Sequence, residues 1–244
     1  MQAVKISVVI PAFNEEQLIG KCIKALKNQT FPKKDYEILV IDNKSTDKTA
    51  EIAKKLGVTV IPYNQKQGFS VTKQFGVKQA KGEIIAITDA DSIPDAHWLE
   101  TIDKVMQDQN LVCVGGTVLS TEDEDKLVNL SFVVYDFFTK VNQLFGISLI
   151  WSPNMAIRKD AFMQVGGINT KLKTSDDWEL VLRLQKKFGI RSTLYTKVLH
   201  VKTSPRKQKK LSAIIPYSLI GVVNYVSIFI LHKSKTYGVP IDIR

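Results

Sequence analysis

Two rhythms alternate along the first hundred residues. Short continuous apolar runs, which suit strands buried on both faces, are separated by longer stretches with helical spacing. Ile6 to Pro11 reads as a strand, and Asn14 as the cap of a helix running through Leu26. Tyr36 to Ile41 is the second strand, ending on Asp42; Asn43 to Asp47 form a turn, and Thr46 to Leu56 a helix. Val58 to Ile61 is a short third strand, followed by a helix over Ser70 to Gln79 that Lys81-Gly82 stops. Ile84 then begins an apolar run that ends on Asp89, Ala90 and Asp91. This βαβα order predicts a mostly parallel, doubly wound sheet flanked by helices.

Beyond Pro94 the rhythm is less regular. A helix is expected over Asp95 to Gln107 and a strand over Leu111 to Leu119. Lys126 to Phe145 is long, apolar and aromatic, with Tyr135, Phe137 and Phe138. Ile147 to Ile157 reads as a strand and Asp160 to Val165 as a short helix ended by Gly166-Gly167. Asp176 to Phe188 reads as a helix and Ser192 to His200 as a strand. The simplest division is a catalytic unit over 1–200 and an appendage over 201–244.

The 244 residues are 44% hydrophobic and 24% charged, ordinary for a globular chain. Cys22 and Cys113 each fall in an apolar-periodic segment, which suggests buried free thiols and a reducing compartment. Met1 to Lys5 lead straight into the first strand without an apolar leader, so a cytoplasmic location is expected. The net charge of +10 calls for an anionic partner. Nucleic acid is disfavoured: the dense cluster of Lys202, Arg206, Lys207, Lys209 and Lys210 lacks interleaved aromatics, and no helix-turn-helix or zinc pattern occurs. No G-x-G-x-x-G follows the first strand, which argues against a dinucleotide oxidoreductase.

Asp89 and Asp91 carry the chemistry. Two carboxylates one residue apart, at the carboxyl end of a buried strand, sit where open α/β sheets bind ligands. They repel unless a cation lies between them, and a divalent ion bridging to a phosphate satisfies both. The alternative is a helix cap, since Asp and Ser are ordinary capping residues.

Four segments decide between these readings: VVIPAFNEE (Val8 to Glu16), VIDNKSTDKTAEIA (Val40 to Ala53), GEIIAITDADS (Gly82 to Ser92) and SDDWELVLRLQKKFG (Ser175 to Gly189). Their order and spacing resemble glycosyltransferase family 2, inverting enzymes of the GT-A fold, from Ile6 to about His200. The resemblance implies a Rossmann-like α/β domain that moves a sugar from a nucleoside diphosphate, UDP- or GDP-linked, to an acceptor hydroxyl. A nucleotide-sugar binder without turnover is the alternative. Pro11, Ala12, Phe13, Glu15 and Asp42 map onto the donor's base and ribose site. Lys73 maps near the diphosphate, or is a solvated helix lysine. Asp89 and Ala90 map beside the donor sugar. Asp91, with His200 as an additional ligand, maps onto the site of Mn²⁺ or Mg²⁺; His200 is otherwise a structural residue at a strand end. Asp177 maps onto the catalytic base, on a helix that Ser175 could cap. Trp178 would stack on a sugar ring or join the core, and Arg183 would pair with Glu179. The chain departs from the pattern at Asn43, Gln74, Asp176 and Ser152-Pro153, where the family often has an acid, Asn, Glu and a glycine before Asn154.

Leu211 to Leu231 contains no charged side chain. Its length permits a bilayer crossing, though Pro216, Gly221 and Asn224 interrupt it. An in-plane membrane helix, a transmembrane helix and a helix packed on protein are the three readings. Basic residues just before it would attract anionic headgroups. Attachment to the cytoplasmic face of a membrane, near a lipid-linked acceptor, is the expectation.

Overall fold

A computed structural model describes residues 4–121, 126–172, 174–206 and 223–226. The apolar runs of the first half become four strands of one sheet, with the third at its edge: β1 (Ile6–Ala12), β2 (Tyr36–Asp42), β3 (Thr59–Pro62) and β4 (Ile84–Ile87). All pair in parallel, with β1 between β2 and β4. The second half adds β5 (Ser92–Pro94), β6 (Cys113–Ser120), β7 (Met155–Arg158) and β8 (Thr193–Thr203). The order is β3-β2-β1-β4-β7-β6-β8-β5. β7 enters antiparallel to both β4 and β6, β8 runs parallel to β6, and β5 pairs antiparallel to β8.

Continuous hydrophobicity in β1 follows from its two covered faces. Ile6, Val8 and Ile10 point into one layer with Ile19, Ile23 and Leu26 of α1 (Ile19–Lys27) and Leu99 of α4 (Trp98–Val105). Val9, with Ile41, Ile85 and Ile87, points into the other, against Val77 of α3 (Phe69–Gln79), Phe162 of α6 (Lys159–Gln164) and Leu180 and Leu184 of α7 (Asp176–Phe188). The remaining helices are α2 (Thr49–Lys55) and α5 (Lys126–Leu144). Gly76 lets α3 lie close to the sheet: a Cβ there would stand 2.5 Å from Val9 Cγ1 and 2.8 Å from Ile41 Cγ1. That approach sets the depth of Lys73, nearly one turn earlier.

Several local expectations change. Asn14 does not cap α1, which begins five residues later; it adopts a positive φ, and its carboxamide oxygen accepts from the Thr46 amide at 2.8 Å, tying the β1 and β2 loops together. The expected strand from Ile147 shrinks to β7, because Ser152–Asn154, with Pro153 inside, turns through a single 3₁₀ turn. Ser175 lies in the left-handed region and makes no side-chain cap to α7. Asp91 leads into β5 and not into a helix, so the capping reading of the Asp89–Asp91 corner fails. His200 is not a strand end, since β8 continues to Thr203, held there by its pairing with β5. Cys22 and Cys113 are buried free thiols. Most of the Leu211–Leu231 segment lies outside the described residues; residues 223–226 are helical. Among the described residues, no helix is long and apolar enough to cross a membrane.

Candidate active site

The carboxyl ends of β1, β2 and β4 meet at one edge, where the chain reverses strand order. The Asn43 amide donates to the Ala12 carbonyl at 2.9 Å, joining the tips of β1 and β2. Beside them is a hollow of about 280 Å³, open to solvent and lined by Pro11, Ala12, Phe13, Asn43, Gln67 and Gly68. Asn43 cannot serve a ligand freely: its side chain accepts from the Gly68 amide at 2.9 Å and donates to the Tyr63 carbonyl at 3.0 Å. Gly68 has φ 147°, a region only glycine occupies without strain, so its amide can turn toward Asn43. Asp42 is 9% exposed, and its Oδ1 is buried with no hydrogen-bond partner among the described residues.

Three acids form the next part of the edge. Cys22 Sγ donates to the Asp89 carbonyl at 3.4 Å. Burial, reinforced by the charges of Asp91, Asp89 and Glu15, pushes the Cys22 thiol far above its usual range. Asp91 is clasped from β8: Thr203 Oγ1 donates to its Oδ1 at 3.3 Å and Ser204 N to its carbonyl at 3.2 Å. Arg206 binds Glu15 and stands 3.5 Å from Asp91 Oδ2. Arg206 and Thr203 were not singled out by motif; a count of basic residues sees only a cluster, and the β5–β8 pairing is what folds it back. Ala90 is buried, Asp89 half-buried.

Asp177 is 7% exposed at the start of α7. Its Oδ2 accepts from Ser152 N at 3.0 Å and Ser152 Oγ at 3.2 Å, and its Oδ1 from the Trp178 amide at 2.9 Å. Burial and then the adjacent Asp176 charge push its carboxyl above the usual range; Lys73 and the two amides offset this only in part. Lys73 is not a solvated lysine. It is 5% exposed, 2.7 Å from Asp176 Oδ2, and donates to Ser152 Oγ at 2.8 Å. Burial alone would favour losing its proton, but Asp176, Asp177 and Asp89 outweigh that and hold it above the normal lysine value.

Trp178 is mostly buried, stacked on Tyr135 at 6.3 Å and 9° and packed with Leu149. Tyr135 also meets the Trp151 ring at 5.0 Å, so an aromatic wall stands beside Asp177. Arg183 pairs with Glu179 through two contacts, at 2.8 and 2.7 Å, and also reaches the carbonyls of Val165 and Gly167. It fastens the Gly166-Gly167 turn to α7. Asn154, one turn after Trp151, is a buried structural hub and not a pocket wall.

His200 is exposed on β8, and its carbonyl accepts from the Asp95 amide at 3.1 Å. Among the described residues, no three His, Cys, Asp or Glu side chains converge as a set able to hold a metal ion. A lone edge carboxylate such as Asp91 nevertheless suits an ion that takes most of its oxygens from a diphosphate and water. A cationic group, Arg206, is already drawn to it.

A mixed, mostly parallel sheet flanked by helices, with two aspartates just beyond the carboxyl end of β4, has the architecture of the GT-A class of glycosyltransferase fold. Solved structures agree on the architecture. The mannosyltransferase PcManGT from Pyrobaculum calidifontis, in complex with GDP-Man and Mn²⁺, superposes with a TM-score of 0.75 at 18% identity, covering 97% of this chain and 67% of that one. Glucosyl-3-phosphoglycerate synthase from Mycobacterium tuberculosis, with Mn²⁺, UDP-glucose and phosphoglyceric acid, gives 0.66 at 16% identity, covering 92% and 79%. Residues 7–166 match the model of glycosyl transferase family 2. The chain belongs to that family. Glycosyltransferase AglE from Haloferax volcanii is 32% identical over 180 residues, 70% of this chain and 58% of that protein. The dolichyl N-acetyl-alpha-D-glucosaminyl phosphate 3-beta-D-2,3-diacetamido-2,3-dideoxy-beta-D-glucuronosyltransferase from Methanococcus voltae is 32% identical over 140 residues, 53% of this chain and 44% of that protein. The chain thus spans about half the length of these curated relatives.

Proposed function

We propose that this chain is a metal-dependent inverting glycosyltransferase that uses a nucleoside-diphosphate sugar, UDP- or GDP-linked, and an acceptor hydroxyl. The observation that carries this reading is the placement of Asp177: a buried carboxylate aimed by two amides and a hydroxyl, linked through Lys73 to the Asp89 side of the cleft. In this reading Asp42 Oδ1 accepts a hydrogen bond from the nucleoside, which rests in the hollow by Pro11, Ala12 and Phe13, with Glu15 on the loop that follows β1. Asp89 and Ala90 border the donor sugar. Asp91 would hold Mn²⁺ or Mg²⁺; His200, opposite Asp95 and four positions along the chain from the Ser204 that meets Asp91, is not brought to it. When bound, that ion draws negative charge from the departing diphosphate.

Asp177 takes the proton of the acceptor hydroxyl as its oxygen bonds to the anomeric carbon. The bond from that carbon to the diphosphate breaks on the opposite face, and the nucleoside diphosphate leaves with the electron pair. Trp178 and its aromatic neighbours shield the base from water.

A thermal-shift screen of UDP-, GDP- and TDP-sugars, with and without Mn²⁺, tests donor use. A metal-dependent upward shift with one class is expected; no shift with any class overturns the donor assignment. Asp177→Asn should keep the donor shift and lose transfer. Transfer at the parental rate would remove the base assignment.

We further propose a catalytic unit over 1–200, an appendage over 201–244, and work at the cytoplasmic face of a membrane on a lipid-linked acceptor. The relative from Methanococcus voltae is named for a dolichyl N-acetyl-alpha-D-glucosaminyl phosphate, and one from Campylobacter jejuni for an undecaprenol-linked saccharide. On α5, Leu130, Val133, Val134 and Phe137 are exposed. Flotation with liposomes, comparing the full chain with one cut before Leu211, checks this; equal behaviour removes the role of the tail.

A further inference from the structure

Lys73 stands between two carboxylates that would otherwise meet unscreened. Asp176 and Asp177 are adjacent and both buried, and among the described residues one cation is in contact with the pair: Asp176 Oδ2 lies 2.7 Å from Lys73 Nζ. The same ammonium donates to Ser152 Oγ at 2.8 Å, and that hydroxyl donates onward to Asp177 Oδ2 at 3.2 Å. One lysine therefore touches the first acid directly and the second through a single hydroxyl. We infer that Lys73 is a positioning residue: its buried ammonium keeps the Asp177 carboxylate ionised and, through Ser152, aimed at the acceptor. This rests on the reading of Asp177 as the base.

With Lys73 present, Asp176 and the ammonium cancel, and Asp177 carries the one net negative charge of the trio. Without it, two neighbouring buried carboxylates remain, and one of them takes up a proton, as close carboxylate pairs do. A protonated Asp177 cannot accept the acceptor's proton. The other titratable group facing Asp177 is Tyr135 from α5, which burial and then the Asp177 charge keep protonated. Asp89, from the loop after β4, acts on Lys73.

The experiment is a carboxyl ¹³C NMR titration of the full chain with labelled aspartate, the Asp177 signal being assigned by its loss in Asp177→Asn. In Lys73→Met the Asp177 midpoint should rise by about one pH unit or more. Lys73→Arg should stay near the parent. Lys73→Met combined with Asp176→Asn removes both charges and should return the midpoint to within about half a unit of the parent. An unmoved midpoint in folded Lys73→Met overturns the inference. If Lys73→Met does not fold, the neutral double variant and Lys73→Arg carry the test, and a shift above about one unit in either overturns it. Failure of the underlying reading is distinct: Asp177→Asn would then still transfer sugar, whatever the titration shows.

Discussion

Replacing Asn154 by Ala should cost about 3–4 kcal/mol, through three hydrogen bonds and no apolar contact of consequence. Its side chain is 1% exposed. Oδ1 accepts from the Trp98 indole at 2.8 Å, and Nδ2 donates to the carbonyls of Thr117 and Leu199, both at 3.0 Å. These partners belong to α4, β6 and β8, so one carboxamide ties a helix to two strands just below the active-site edge. Each bond contributes about 1 kcal/mol net, and the buried indole left without an acceptor adds a further penalty of about 1 kcal/mol. A domain of this kind has only about 5–15 kcal/mol in total, so the loss is a large fraction. Equilibrium urea unfolding gives the number, with the slope unchanged from the parent as the sign that the folded state is intact. Asn154→Asp should be worse still near neutral pH, because a carboxylate would face two carbonyl oxygens, and its deficit relative to Ala should shrink on acidification. A loss below about 1 kcal/mol for Ala, or an Asp variant milder than Ala, would refute the hub.

Three further outcomes follow from the same geometry. Asp177→Asn should raise the melting temperature at pH 7 while losing transfer: a carboxyl with its pKa raised by folding contributes stability below its unfolded value, and this is lost as pH climbs through the folded value. The gain should therefore vanish toward pH 4; an equal gain at both pH values contradicts the burial argument. Gly76→Val should destabilise by about 1–3 kcal/mol and reduce transfer, since a Cβ 2.5 Å from Val9 must lift α3 and the lysine it carries; calorimetry showing a loss below about 0.5 kcal/mol would refute that packing. Cys22 and Cys113, both buried with thiols held protonated, should resist iodoacetamide until the chain unfolds. Mass spectrometry showing either modified in the native protein would contradict their burial.

The parallel half of the fold was legible because its signals are local. An apolar run in VVIP or IIAI needs cover on both faces, and polar residues at its carboxyl end mark the ligand edge. The second half was harder. Ile147 to Ile157 has the composition of a strand, yet Pro153 and the pull of Ser152 on Asp177 divide it. Lys73 reads like any helix lysine, and nothing within ten residues announces that its partner is Asp176. Arg206 and Thr203 entered the site only through the pairing of β8 with β5.

The amino-acid order alone determined the α/β rhythm, the family and the positions of Asp42, Asp89, Asp91 and Asp177, because each depends on periodicity or on short spacing. Tertiary structure decided which polar groups meet: Lys73 with Asp176, Arg206 with Glu15 and Asp91, Ser152 with Asp177. Such pairings join residues dozens of positions apart, and their strength comes from a desolvated interior that exists only after the sheet has closed over them.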